Sequence, residues 1–154
     1  MAFATINGAR LWYDDAGGGG QPLLLHHGYT ASRVNWEPVA ARLRHRFRVI
    51  LMECRGTGES EHTADGYTFP QYAADVVGLL DHLDLERVTF AGHSMGGGIG
   101  LWLGLEHADR LDRLILMASV PADGTRHRDP ALREEMRRLR AARDRTANVS
   151  ESRR

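Results

Sequence analysis

Ser94 has the neighbours that a nucleophilic serine needs. It stands in Gly92-His93-Ser94-Met95-Gly96, a G-x-S-x-G segment between an apolar run, Val88 to Ala91, and a stretch, Met95 to Glu106, that reads as a helix. A serine at such a junction occupies a sharp, strained turn, so the flanking positions must be nearly free of side chain for strand and helix to meet. Gly96, Gly97, Gly98, Gly100 and Gly104 repeat the demand. Each costs a helix about 0.5–1 kcal/mol relative to alanine, which tight packing is expected to justify. A chance glycine-rich turn would explain the pentapeptide alone, but not strand, turn and helix together. At a helix N-terminus the backbone N–H groups and the positive end of the dipole favour any oxyanion formed when the serine attacks a carbonyl. The Met95 N–H is the expected first donor. Tyr29, in His27-Gly28-Tyr29, offers the second, because Gly28 lets the chain turn tightly after another apolar run.

Other chemistries have weaker support. Cys54 is the single cysteine, so no internal disulfide forms, and a small buried residue is the plainer reading than a catalytic thiol, despite the adjacent Arg55. No metal-binding spacing is present: His26 and His27 are adjacent, no H-E-x-x-H occurs, and a structural role near the Tyr29 loop is expected of both. Gly56-x-Gly58 fails as a dinucleotide fingerprint because Glu61 holds the third glycine position. Gly17 to Gly20 fails as a phosphate loop because no helix start follows. No cofactor is expected.

The elements that must position Ser94 can be read from apolar periodicity. Phe3 to Ile6 and Arg10 to Tyr13 flank Asn7-Gly8, a strong signal for an antiparallel hairpin. Leu23-Leu24-Leu25 and Val49 to Met52 read as strands buried on both faces, with Trp36, Val39, Ala40 and Leu43 at helical spacing between them. Phe69 to Leu83 predicts a second helix, capped by Thr68 with Pro70 in its first turn. Val88 to Ala91, the helix from Met95 to Glu106, and a strand from Leu114 to Ala118 continue the alternation. Alternation of this kind implies an α/β fold: a mostly parallel sheet, helices on both faces, and ligands bound at the carboxyl ends of the strands. Beyond Pro121 an arginine-rich segment contains a helix expected to start at Asp129-Pro130, with Leu132, Met136 and Leu139 as a narrow apolar stripe. Residues 148–154 are expected to be disordered.

The chain has 154 residues, 42% of them hydrophobic and 26% charged, with a formal net charge of zero, which is the composition of one ordinary globular domain. There is no lysine, so the fixed positive charge is arginine, read as a solvated surface and not a nucleic-acid patch. No apolar stretch approaches the roughly 18 residues of a membrane span, and the first eight residues do not read as a signal peptide. A cytoplasmic location is expected.

Three segments in order, Leu-Leu-Leu-His-His-Gly-Tyr, then Glu53-Cys54-Arg55-Gly56-Thr57-Gly58-Glu59-Ser60, then Gly-His-Ser-Met-Gly, resemble the α/β-hydrolase superfamily from about Pro22 to Pro121. Within it the pattern is similar to cap-bearing enol-lactonases, small carboxylesterases and cofactor-free haloperoxidases. Glu53 replaces the aspartate that usually opens D-x-R-G-x-G-x-S, an exchange expected to matter to loop structure more than to chemistry. Ser94 distinguishes the chain from dehalogenases and epoxide hydrolases of this fold, which use an aspartate nucleophile.

The resemblance implies a serine hydrolase of small esters or lactones that works through an acyl-enzyme, with Ser94 as nucleophile and the Tyr29 and Met95 amides as oxyanion hole. It also implies an acid and then a histidine on later strands. The expectation is therefore a fold truncated after its sixth strand: residues 1–121 as the front of the core, 122–147 as the start of a helical cap or a polar tail helix, and 148–154 as tail. Asp123 follows the last strand, where some relatives carry the acid, although a surface-loop aspartate is the plainer reading. His93 should point away from the serine, His82 and His107 sit on helices, and His127 lies in the polar tail, so none suits the role of base. A non-catalytic remnant or ligand-binding module on the same fold is the alternative function. An unpaired last strand further predicts self-association or completion by a separate piece.

Overall fold

The computed structural model describes residues 1–15 and 17–122. Asp123, His127, the helix expected from Asp129 and the expected tail lie outside the described residues.

Asn7 and Gly8 both take positive φ, 48° and 77°, the paired left-handed geometry of a two-residue hairpin turn, and join β1 (Ala2–Ile6) to β2 (Ala9–Asp15). β3 (Gln21–His26) leads through a 3₁₀ turn at Arg33–Asn35 into α1 (Glu37–Leu43) and β4 (Phe47–Met52). α2 (Phe69–His82) begins as its sequence predicts: the Thr68 hydroxyl accepts the Gln71 N–H at 3.3 Å, and Pro70 sits in the first turn. β5 (Val88–His93), α3 (Met95–Glu106) and β6 (Leu111–Met117) follow.

The strands form one sheet in the order β1-β2-β4-β3-β5-β6, with β4, β3, β5 and β6 parallel, β2 antiparallel to β4, and β1 antiparallel to β2. Helices cover both faces. Leu24, Ile50, Met52 and Phe90 pack against Val76, Leu79, Leu80, Ile99 and Leu103 of α2 and α3, while Leu23, Leu25, Val49, Leu51 and Ala91 pack with Trp36 and Ala40 on the α1 side. The chain leaves β3 toward β4 and then crosses back over β3 to reach β5. The C-terminal ends of β3 and β5 therefore flank the point where the winding reverses, which is where open α/β sheets form their crevice.

Two expectations change. The last strand starts at Leu111, three residues earlier than its apolar run suggests, because Asp112 and Arg113 hydrogen-bond with Gln21 at the sheet margin instead of breaking the strand. It also ends at Met117, since Ala118 adopts φ 45° and leaves the ladder. Second, tight packing explains only four of the five α3 glycines. A Cβ on Gly96, Gly97, Gly98 or Gly100 would come within 3.0 Å of a neighbour, whereas one on Gly104 would meet only Leu114 Cδ2, at an ordinary 3.5 Å.

Candidate active site

Ser94 takes φ 54° and ψ −112° between β5 and α3, a backbone conformation that L-residues rarely adopt and that surrounding structure must enforce. The enforcement is visible. The Ser94 N–H donates to the Met117 carbonyl at 2.9 Å, and the Ser94 carbonyl accepts from Gly97, Gly98 and Val120 at 3.0, 3.2 and 3.1 Å. A Cβ at Gly92 would lie 2.2 Å from the Gly96 carbonyl oxygen, and one at Gly96 would lie 2.6 and 2.7 Å from the His26 and His27 carbonyl oxygens. Strand, turn and helix can meet this closely only because both positions lack side chains.

The turn after β3 is pressed onto the same point. A Cβ built on Gly28 would sit 3.2 Å from both Ser94 Cβ and His93 Nδ1. The structure thus brings the peptide ahead of Tyr29 against the serine, while the Tyr29 side chain is exposed. Met95 is buried and occupies the first position of α3, where its N–H has no carbonyl to bond within the helix. Ser94 itself is half-buried, and no hydrogen bond to its hydroxyl forms among the described residues. His93 is exposed and lines a cleft of about 270 Å³ with His27, Gly28, Ala31, Asn35, Trp36 and Val39; Ser94 does not line it. His82 is engaged far from the site, with Nε2 3.1 Å from the Tyr13 hydroxyl, and His107 ends α3.

Three buried arrangements support these loops, and sequence reasoning saw none of their pairings. Glu53, fully buried after β4, accepts the Arg33 guanidinium at 3.0 Å, the Arg33 N–H at 3.3 Å and the Glu59 N–H at 2.8 Å. The loop winds around its carboxylate so tightly that a Cβ on Gly58 would overlap it. Ser60 closes the loop by donating to the Glu53 carbonyl at 2.7 Å and accepting the Trp12 N–H at 2.8 Å. Arg55 next makes a two-pronged pair with Asp75 of α2, at 2.7 and 2.8 Å, and Asn7 and Gln71 also donate to that carboxylate. Finally, His27 Nδ1 lies 2.8 Å from the Gly28 carbonyl oxygen, and the Cys54 N–H donates to His27 Nε2 at 3.3 Å. The E-C-R-G-T-G-E-S run and the His-His pair were the available signals; neither says what they bond.

Burial pushes the Cys54 thiol up to about 11, so it is not a thiolate at neutral pH. Burial also lowers His26, to about 3, and lowers His27. Among the described residues no cluster of three or more His, Cys, Asp or Glu side chains is arranged to hold a metal ion, and no helix is long and apolar enough to cross a membrane.

The family model for the alpha/beta hydrolase fold matches residues 21–148. The chain belongs to that family. It is similar to the crystal structure of the enol-lactonase from Burkholderia xenovorans LB400, with a TM-score of 0.74 and 36% identity over 77% of this chain and 47% of that one. A soluble epoxide hydrolase of Corynebacterium sp. (strain C12) is 36% identical over 118 residues, 77% of this chain and 41% of the relative. A non-heme haloperoxidase of Rhodococcus erythropolis is 35% identical over 124 residues, covering 79% and 45%. The chain spans less than half the length of each of these relatives.

Proposed function

We propose that this chain carries the nucleophile and the oxyanion site of a hydrolase acting on small carboxylic esters or lactones. Ser94 Oγ attacks the carbonyl carbon, and the oxygen that gains charge is held by the Met95 and Tyr29 N–H groups. The alcohol leaves with a proton, and water then releases the acid from the acyl-enzyme. A histidine base and a carboxylate from outside the described residues complete the machinery. The observation that carries this reading is the enforced positive φ of Ser94 at the strand–helix junction, a strained position that packing has no need to create. Similarity to an enol-lactonase supports the substrate class, and a serine at this position favours acyl transfer over the epoxide opening of the Corynebacterium relative. A single, buried cysteine accords with a cytoplasmic location.

The test is incubation with a p-nitrophenyl alkylphosphonate followed by peptide mapping. Sites stripped of triad members keep roughly a thousandfold to ten thousandfold rate over water, so an activated probe remains informative. An adduct on Ser94, lost in Ser94→Ala, is expected. A folded chain that shows no adduct, or an adduct elsewhere, overturns the reading in favour of a ligand-binding module on the same fold.

A further inference from the structure

The Gly28 carbonyl accepts two hydrogen bonds: one from the Ala31 N–H at 3.3 Å, closing the turn, and one from the His27 ring at 2.8 Å through Nδ1. In a trans peptide the carbonyl of one residue and the N–H of the next point in opposite directions. Holding the Gly28 oxygen therefore sets the direction of the Tyr29 N–H. The other ring nitrogen has a different duty: Nε2 accepts the Cys54 N–H and so ties the turn after β3 to the loop after β4. A carbonyl can only accept and an amide can only donate, so one protonation state satisfies both contacts, the neutral imidazole with its proton on Nδ1. A charged ring would set an N–H against the Cys54 N–H.

We infer that His27 is a positioning residue whose neutral Nδ1–H tautomer fixes the Gly28–Tyr29 peptide and latches it to the Glu53–Ser60 loop, so that this arrangement exists only while the ring is uncharged. Its value to catalysis rests on the proposed role of the Tyr29 N–H; the latch itself does not.

The surroundings suit a neutral ring. His27 is almost fully buried, with the His26 ring stacked on it at 5.1 Å between centroids. On the β4 side it meets the Cys54 backbone N–H and feels the charge of Glu53, whose carboxylate is already engaged by Arg33. On the β5 side the exposed His93 shares its cleft. Burial, the largest influence, lowers the His27 pKa, and the hydrogen bond to the Gly28 carbonyl and then the charge of Glu53 oppose it only in part. Behind the pair, the His26 and His27 carbonyls abut Gly96 in the first turn of α3, so the segment has little room to shift without breaking contacts to the helix that follows Ser94.

The experiment needs no substrate. Multiple-bond ¹H–¹⁵N spectra of the full chain report the His27 tautomer, and hydrogen exchange reports protection of the Cys54 amide. The expected result is an Nδ1–H tautomer at neutral pH that persists below about pH 5.5, where a free imidazole would be about nine-tenths charged. Cys54 protection should fall at least about tenfold once the ring does protonate. His27→Gln places an acceptor near the Nε2 position, so its Cys54 protection should be retained and lose its acid dependence. His27→Ala should lose protection at every pH. If His27→Ala fails to fold, the wild-type and His27→Gln titrations still decide. An Nε2–H tautomer, ordinary titration near the free value, or equal Cys54 protection across pH and variants overturns the inference. Phosphonate labelling of Ser94 run in parallel separates the two proposals: an intact latch with no adduct sinks the hydrolase reading and leaves the latch standing.

Discussion

His26 lies at the end of β3 with its ring wholly enclosed between His27 and Phe90. Nδ1 is 3.1 Å from the His27 carbonyl oxygen, while Nε2 has no partner among the described residues. Burial, and secondarily the charge that His27 could carry, lowers its pKa from 6.5 to about 3. In the unfolded chain the ring takes its proton near the free value, so between about 3 and 6.5 the unfolded state binds more protons and stability rises with pH. The contribution is whole above the free value and declines as pH falls below it, at up to about 1.4 kcal/mol per unit. Urea midpoints measured at about pH 7.5 and 5.5 should show the loss, and His26→Leu, which removes the orphan nitrogen, should flatten it. An unchanged slope in that variant would assign the acid sensitivity to other groups. Asp75 presents the opposite case, a buried carboxylate with every contact used. Asp75→Asn leaves the Arg55 charge buried without its counterion, and a loss of about 3–5 kcal/mol is expected in denaturant unfolding.

At the scale of elements, α3 shows what a glycine-rich helix is for, and where that account stops. Gly96→Ala should destabilise by several kcal/mol, because its methyl group meets the backbone of β3 and has nowhere to move. Gly104→Ala should stabilise by about 0.5–1 kcal/mol, since the helix gains an intrinsic preference and the methyl meets ordinary contact. Thermal midpoints of the two variants settle the comparison, and similar shifts for both would refute it. The sequence made this helix, its boundaries and the Ser94 turn legible because the information is local: a strand, a turn and a helix within about twenty residues. Apolar periodicity likewise revealed α2 and its Thr68 cap. What stayed hidden was pairing. Glu53 pairs with Arg33 and Arg55 with Asp75 out of many arginines and carboxylates, and only the finished fold brings together partners twenty positions apart in sequence. The start of β6 was hidden for a related reason. Asp112 and Arg113 look like loop residues until Gln21, at the start of β3 two strands away, supplies their partner.

For the whole molecule the sheet has two unlike margins. β1 ends it on one side with the short Ala2–Ile6 strand, while β6 ends it on the other, its strand ladder formed with β5 alone among the described residues, and exposes Ile115 and Leu116. An apolar strand with an edge unpaired among the described residues is a template for further pairing. Sedimentation of the purified chain should show concentration-dependent association, weakened when Ile115 and Leu116 are both replaced by lysine. A monomer across the accessible concentration range would refute the expectation.

Two of the four backbone bonds that clamp Ser94 run to Met117 and Val120, at and just past the end of that outermost strand. Ser94 therefore takes part of its footing from the margin of the sheet. Fraying at that border would loosen the serine's strained turn before the interior began to open.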